Sequence, residues 1–348
     1  MTDTSFLFAL GRPLSPLYSL AMRLRERGYL SDLFRRHRLP VPVISVGNLV
    51  LGGSGKTPTV AAICRHLVAM GEKPAVISRG YGGRAKAAVN VVSDGETIFL
   101  DAQAAGDEPY MLAAMLPGVA VLTGRKRILP CERAVAMGHT VLVLDDGFQH
   151  LAVRRDLDLV LFNATTLAGN SRVFPGGELR EPVAALRRAS AFILTGVDTR
   201  NRERAGRFAG LLAERFPGKT VFQSEHVLHK FVDQRGQTVA ELPLPAPLLA
   251  VSAIAHPERF HHLLADAGVA LAGHLNFLDH HHYPPDAIFR IAREVKKRGA
   301  AGLIVTEKDR VKLAERDLPC PLFAARITAL LPPELLAMVD AAVAAFPR

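Results

Sequence analysis

Short apolar runs alternate with stretches of helical periodicity along the whole chain. VPVISVG (41–47), KPAVISRG (73–80), VLVLDD (141–146), LDLVLFN (157–163) and AFILTG (191–196) are rich in consecutive Val, Ile and Leu. A strand covered on one face alternates apolar and polar residues. These runs do not, so they predict strands of a parallel sheet buried on both faces. Amphipathic stretches between them predict crossover helices, most clearly residues 57–70, with Gly71 as the stop signal, and a further helix over 200–215.

The pattern changes at residues 220–247. VFQSEHVLHKFVDQRGQTV reads as short extended runs around a turn at Arg235-Gly236, and Pro243, Pro245 and Pro247 mark a stiff connector. A smaller α/β unit follows: LLAVSAI, a helix from Pro257, VALAGHLNF, a helix from Pro284, then GLIVTEKD, CPLFAAR and a last helix over 333–346. A length of 348 residues exceeds one ordinary core, so two domains are expected. The division read from the pattern is 1–225, 226–328 and a C-terminal helix at 329–348, with a strand linker between the two units.

Composition changes this picture little: 49% hydrophobic and 22% charged residues describe a folded globular chain. Cys64, Cys131 and Cys320 are far apart and form no C-x-x-C pair, so neither a disulfide framework nor a zinc ribbon is expected, and a reducing compartment fits. The first residues, MTDTSFLFALGRPLSP, carry no basic leader, and Arg12, Pro13 and Pro16 interrupt their apolar stretch. A signal peptide is not expected there, and no apolar run approaches the roughly 18–20 residues that span a bilayer.

Charge changes it more. The net charge of +10 calls for an anionic partner: nucleic acid, anionic lipid or a phosphorylated substrate. Arg12, Arg23, Arg25, Arg27, Arg35, Arg36 and Arg38 crowd the first 40 residues against only Glu26 and Asp32 between positions 11 and 39. Leu14, Leu17, Tyr18, Ala21 and Leu24 fall on one helical face. That combination suits a helix lying in a membrane interface with its arginines at lipid phosphates. It equally suits a terminal helix that covers core and carries a solvated basic face. Nucleic acid is not the expected partner, since there is no Trp, aromatics are 6%, and no basic-aromatic module occurs.

The strongest chemical signal is GGSGKTP at 52–58, directly after the first apolar run and before the 57–70 helix. Backbone N–H groups converge on a phosphate only where side chains do not intrude, so a cradle wants glycines. Gly52, Gly53, Ser54 and Gly55 supply the loop, the following helix aims its positive end at it, Lys56 reaches β- and γ-phosphates, and the Thr57 hydroxyl ligates Mg²⁺. The pattern G-x-x-x-x-G-K-[ST] expects glycine at position 50, where this chain has Val50. A Mg²⁺-bound nucleotide also needs an acid at a nearby strand end, and in VLVLDDGFQH (141–150) the apolar run VLVL is followed directly by Asp145 and Asp146. Nucleotide-dependent phosphotransfer or hydrolysis is the chemistry these parts serve.

GNLVLGGSGKTP (47–58), SRGYGG (78–83), GDEP (106–109), TGRKR (123–127), DDGFQH (145–150), PGGELREP (175–182), F-x-D-H (277–280) and TEKD (306–309) occur in this order over nearly the entire length. Together they resemble the tetraacyldisaccharide 4'-kinase (lipid A 4'-kinase) family of Gram-negative bacteria. The resemblance implies a phosphate-loop NTPase-type parallel-sheet domain joined by a strand linker to a smaller α/β domain. It implies ATP and Mg²⁺, and phosphorylation of the 4'-hydroxyl of a tetraacylated glucosamine disaccharide 1-phosphate. It further implies an N-terminal helix resting on an anionic membrane, at the cytoplasmic face of the inner membrane. A monomer with no nucleic-acid partner is expected.

The resemblance also implies roles. Asp107 in GDEP is the expected base, working with a histidine of the F-x-D-H run; His280 follows Asp279 directly, but His281 and His282 offer other registers. A carboxylate whose partner imidazole holds the proton is better poised than a lone one. Asp145 and Glu108 are expected at Mg²⁺ with Thr57. Arg125 is read as a phosphate or transition-state clamp, and Arg79, Tyr81, Asp146, Gln149 and Arg180 as the substrate rim. Glu307 and Lys308 approach the nucleotide if the smaller domain closes. Two alternatives stand beside this. A phosphate-loop switch protein would hydrolyse nucleotide without a phosphorylated product, although no N-K-x-D stretch reads guanine. A zinc site among His256, His261, His262 and His274 lacks a cysteine or a paired i,i+4 motif.

Overall fold

The computed structural model describes residues 4–239, 243–279 and 281–347. The first half of the sheet is built from β1 (Val43–Asn48), β2 (Pro74–Ser78), β3 (Asn90–Ser93), β4 (Ala120–Thr123), β5 (Val141–Asp145), β6 (Leu157–Asn163) and β7 (Ala191–Thr195). The strand order β7-β6-β1-β5-β2-β4-β3 is parallel throughout except for the antiparallel edge strand β3. All residues of β1, β2, β5, β6 and β7 are buried, as their unbroken apolar runs require.

Helices cover both faces. The N-terminal arm is α1 (Thr4–Gly11) and α2 (Ser15–Leu30); then come α3 (Lys56–Ala69), α4 (Ala102–Ala105), α5 (Asp107–Met115), α6 (Ile128–Ala136) and α7 (Arg202–Arg215). Val60 and Leu67 of α3 and Leu112 of α5 share one core with Ile44, Val46 and Val143. Cys131 and Ala134 of α6 lie on the opposite face against Leu142 and Leu144, and Ala205 and Leu212 of α7 against Phe162 and Phe192.

The second half has β8 (Thr220–Asp233), β9 (Leu248–Ser252), β10 (Leu271–Asn276), β11 (Gly302–Thr306) and β12 (Leu322–Leu330), with α8 (Pro257–Asp266), α9 (Pro285–Arg298) and α10 (Glu307–Leu313). Here the pattern reading needs amending. Residues 220–233 are one long strand rather than several short runs, and β8 changes partner midway. Thr220 to Ser224 run parallel to β7, whereas Glu225 to Asp233 pair antiparallel with β12. One strand therefore joins the two halves into a single twelve-stranded sheet. The last helix, α11 (Pro333–Ala344), returns to the first half, where Leu335, Val339 and Val343 enter the core under α3.

Candidate active site

The phosphate loop hangs between the C-terminal end of β1 and the N-terminus of α3, where open parallel sheets place their ligands. Gly55 has φ +75°, and a Cβ there would sit 2.7 Å from His226 Cε1, so both conformation and close packing require glycine. At Gly52 and Gly53 a Cβ would meet nothing within 4 Å, which leaves the concave side of the loop open. The loop is pinned from behind: Thr195 donates to the Ser54 carbonyl (2.8 Å) and Asn163 to the Gly53 carbonyl (2.9 Å). Val50 occupies the position where glycine is usual because it bridges Leu179 and is buried beside it and Phe148. A cavity of about 340 Å³ opens beside the loop, bounded by Gly52, Gly53 and Ser54 on one side and Ala255 and His256 of the second half on the other.

Lys56 opens α3 and folds back over the loop, its ammonium 3.2 Å from Asn48 Oδ1, 3.4 Å from Ser54 Oγ and 3.6 Å from Asp146 Oδ1. Thr57 follows on the first turn. Asp145 ends β5, next to β1, with only 1% exposure. Its Oδ2 accepts a hydrogen bond from Ser78 (3.1 Å), while Oδ1 is buried without a protein partner. Burial, then the nearby Glu108 carboxylate, then Asp146, push its pKa up to about 7. A buried carboxylate with one orphaned oxygen and a second carboxylate nearby carries charge that a divalent cation would relieve, so the donor set fits Mg²⁺. No group of three or more His, Cys, Asp or Glu side chains is set to hold a metal among the described residues. One or two carboxylates plus a hydroxyl is what Mg²⁺ ordinarily takes from protein beside nucleotide phosphates.

Asp146 adopts φ +53° and turns the other way. Arg180 Nη1 donates to both its oxygens, at 2.9 and 2.7 Å, and Arg127 donates to its carbonyl at 2.8 Å. Burial pushes the Asp146 carboxyl up, but Lys56 and Arg180 outweigh it and hold it down at about 2. The two adjacent acids of one turn thus stand in opposite protonation environments.

A family model described as tetraacyldisaccharide-1-P 4'-kinase (LpxK) matches residues 7–344. The chain is 48% identical over 327 residues to the tetraacyldisaccharide 4'-kinase of Desulfotalea psychrophila, covering 94% of each. It is 40% identical over 311 residues to that of Syntrophus aciditrophicus, covering 86% of this chain and 83% of the relative. The crystal structure of "apo" form LpxK from Aquifex aeolicus in complex with ATP superposes with a TM-score of 0.76 at 28% identity, covering 95% of this chain and 98% of that one. The chain belongs to the tetraacyldisaccharide-1-P 4'-kinase family.

The 4'-kinase segments converge on the loop to different degrees. GDEP begins α5, with Gly106 at φ +94°, where a Cβ would lie 2.5 Å from the Tyr81 carbonyl; SRGYGG and GDEP therefore pack backbone to backbone. This places Asp107 and Glu108 on the first turn of α5, with the Glu108 carboxylate near Asp145 and Asp107 paired with Lys312. Tyr81 is 80% exposed and Arg79 is exposed beside it. Gln149 donates to the Asn48 carbonyl (3.0 Å) and accepts from Arg25 of α2 through its own carbonyl (2.9 Å). In TGRKR, Arg125 is exposed, whereas Arg127 is only 4% exposed. Burial pulls the Arg127 pKa below its ordinary value, and Asp146 and Asp145 offset only part of this.

The second half of the 4'-kinase contributes less directly. His280 lies outside the described residues. His281 Nδ1 accepts from the Tyr283 N–H (3.0 Å), and its ring packs against Phe277. Lys308 pairs with Asp279 (3.2 Å). Glu307 is buried and accepts two 2.8 Å hydrogen bonds from Arg326. His261 and His274 stack face to face at 3.6 Å rather than converging on a shared point. Residue-pattern reasoning passed over Arg127, Asn48, Asn163 and Lys312. Arg127, Asn163 and Lys312 act through partners distant in sequence, so no local signal marks them, whereas Asn48 binds Val50 and Lys56 close by.

Proposed function

We propose that this chain transfers the γ-phosphoryl group of ATP to the 4'-hydroxyl of a tetraacylated glucosamine disaccharide 1-phosphate. The observation that carries this reading is that the Glu108 carboxylate of α5 and the phosphate-loop Lys56 both lie near buried Asp145, in a member of the 4'-kinase family. The N–H groups of Gly52, Gly53, Ser54 and Gly55 and the end of α3 hold the β- and γ-phosphates. Lys56 leaves Asp146 for those phosphates, a short move for a flexible side chain. The adjoining cavity of about 340 Å³ receives part of the nucleotide. Thr57, Asp145 and Glu108 hold Mg²⁺, which neutralises phosphate charge when bound.

Asp107 accepts the proton of the attacking hydroxyl while the oxygen bonds to phosphorus and ADP departs with the electrons of the broken P–O bond. His280 assists Asp107. Arg125 clamps the phosphate, and Arg79, Tyr81, Asp146, Gln149 and Arg180 form the rim that receives the sugar; Glu307 and Lys308 belong to the nucleotide side after closure. Residues 1–225 and 226–328 act as two bodies about β8, with 329–348 attached to the first.

The arm meets the membrane. Phe6, Leu7, Leu10, Leu14, Leu17, Leu20 and Leu24 are between 51% and 67% exposed, forming an apolar stripe along α1 and α2. No helix among the described residues is long and apolar enough to cross a membrane. The stripe, flanked by Arg23 and Arg27, suits the anionic cytoplasmic face of an inner membrane. The enzyme works there as a monomer, without nucleic acid. The test is transfer of label from γ-labelled ATP to an acylated disaccharide 1-phosphate. Labelled lipid is expected; ATP hydrolysis without labelled lipid would overturn the reading.

A further inference from the structure

α10 touches both Asp107 and the described residues on either side of position 280. At its N-terminus Thr306 and Tyr283 donate to the two oxygens of buried Asp309, at 2.7 and 3.0 Å, which fastens the end of the histidine loop to the helix. Lys308 pairs with Asp279 at 3.2 Å, and Arg316, just beyond the helix, donates to the His282 carbonyl at 3.4 Å. At its C-terminal turn Lys312 crosses to the first half of the protein, where its ammonium lies 2.9 Å from Asp107 Oδ2. The Lys312 side chain is 6% exposed, and Asp107 is its one ion-pair partner among the described residues. Asp107 Oδ1 carries no protein hydrogen bond among the described residues.

We propose that Lys312 is the positioning residue for Asp107. Its buried ammonium makes no hydrogen bond among the described residues, so its charge acts on Asp107 as an ion pair that holds one carboxylate oxygen and leaves the other for the attacking hydroxyl. The same short helix also binds Asp279 and Tyr283, so Asp107 and these residues are held by one helix although they come from different halves. An adjacent ammonium weakens a carboxylate as a base. Phosphoryl transfer depends chiefly on positioning and electrostatics, so correct aim outweighs that cost. Lysine suits this role: its stem reaches through the interface and its point charge fixes one oxygen without covering both, as a bidentate arginine would.

This rests on Asp107 being the base, and the test separates the two claims. Turnover number and KM for ATP are measured for the full chain and for Lys312→Met, Lys312→Arg, Asp107→Asn and the Asp107→Asn/Lys312→Met double variant, with a thermal melt of each. We expect Lys312→Met to lower the turnover number by roughly 10²-fold, the usual cost of a small misplacement, with KM for ATP within about twofold. Lys312→Arg should recover part of the loss, and Lys312→Met should cost nothing further in the Asp107→Asn background. An equal loss in that background would mean that Lys312 acts through general packing and would overturn the proposal. Full turnover by Lys312→Met beside an impaired Asp107→Asn would overturn it too. Full turnover by Asp107→Asn would remove the base assignment and this proposal with it. Should Lys312→Met fail to fold, the same cycle with Lys312→Gln decides.

Discussion

The phosphate cradle and the N-terminal arm satisfy their polar groups by similar means but treat their remaining surface in opposite ways. In the cradle, Lys56 has Asn48, Ser54 and Asp146 around it, Asp146 has Arg180, and Thr195 and Asn163 pin the loop backbone. In the arm only the inner face is fastened. Ser15 donates to the Val173 carbonyl (2.9 Å) and accepts from the Gly176 N–H (2.9 Å), Tyr18 donates to the Arg180 carbonyl (3.0 Å), and Glu26 pairs with Arg188 (2.6 Å). The outer face leaves a row of leucines in water. The cradle turns its polar groups inward on one another, whereas the arm leaves its apolar outer face exposed. They meet at Arg180, which takes Tyr18 on its carbonyl and Asp146 on its guanidinium, so the arm lies two side chains from Lys56.

The largest expected effect breaks the cradle. Lys56→Ala removes the cation that reaches the transferred phosphate and leaves Asp146 with Arg180 alone. A loss of roughly 10³-fold in kcat is expected, of the size seen when one preorganised charge is removed, with vesicle binding through the arm unchanged. Normal turnover would reduce the site to a vestige and the protein to a membrane-binding module.

Asp145→Asn comes next and is read by stability. In the metal-free protein the Asp145 pKa stands near 7, well above the ordinary carboxylate value of about 3.9. The fold therefore favours the protonated form. That contribution is fully present below about pH 4 and is lost as pH rises through about 7. The melting temperature of metal-free protein should fall by several degrees across this window, while Asp145→Asn should be flatter there. Mg²⁺ should release a proton on binding below pH 7 in the parent protein and not in the variant. Parallel pH profiles for the two would place the orphaned oxygen outside the metal site.

How much of this could be read beforehand follows from where each interaction is encoded. β1, β5, β6 and β7 are visible because strands buried on both faces must be continuous in apolar residues, and the loop is visible because its glycines and Lys56 are contiguous. β8 was hidden. It mixes buried and exposed positions and pairs first with β7 and then with β12 within the one sheet, so it resembles a set of short pieces. Arg127 and Arg125 are two residues apart in one basic run, and only the docking of α6 decides that Arg127 is the one under Asp146. Glu307 opens α10 as an unremarkable first-turn acid, and its bond to Arg326 depends on β12 lying alongside. The 11–39 segment shows an amphipathic helix but not which face looks outward. In the structure Tyr18 turns in and Leu14, Leu17 and Leu24 turn out, since Tyr18 alone among them can satisfy a buried carbonyl.

The smallest effect sharpens the contrast most. Deleting the arm would also remove Tyr18 and Glu26 and so disturb Arg180 and Arg188, confounding membrane contact with support of the site. Leu17→Asp combined with Leu24→Asp touches only the outer face, since these side chains are 67% and 55% exposed. Substitutions at such positions change folding stability by about 0.5 kcal/mol or less, so the melting temperature in solution should hardly move. Each lost leucine withdraws about 1.5–3 kcal/mol of potential apolar burial, and the new carboxylates face anionic headgroups. Co-sedimentation with anionic vesicles should fall at least roughly 10-fold, and KM for the lipid should rise with KM for ATP unchanged. If the double variant instead melts early and loses ATP affinity while still binding vesicles, the leucines are core for a conformation in which the arm folds back, and the arm and cradle are one structural unit.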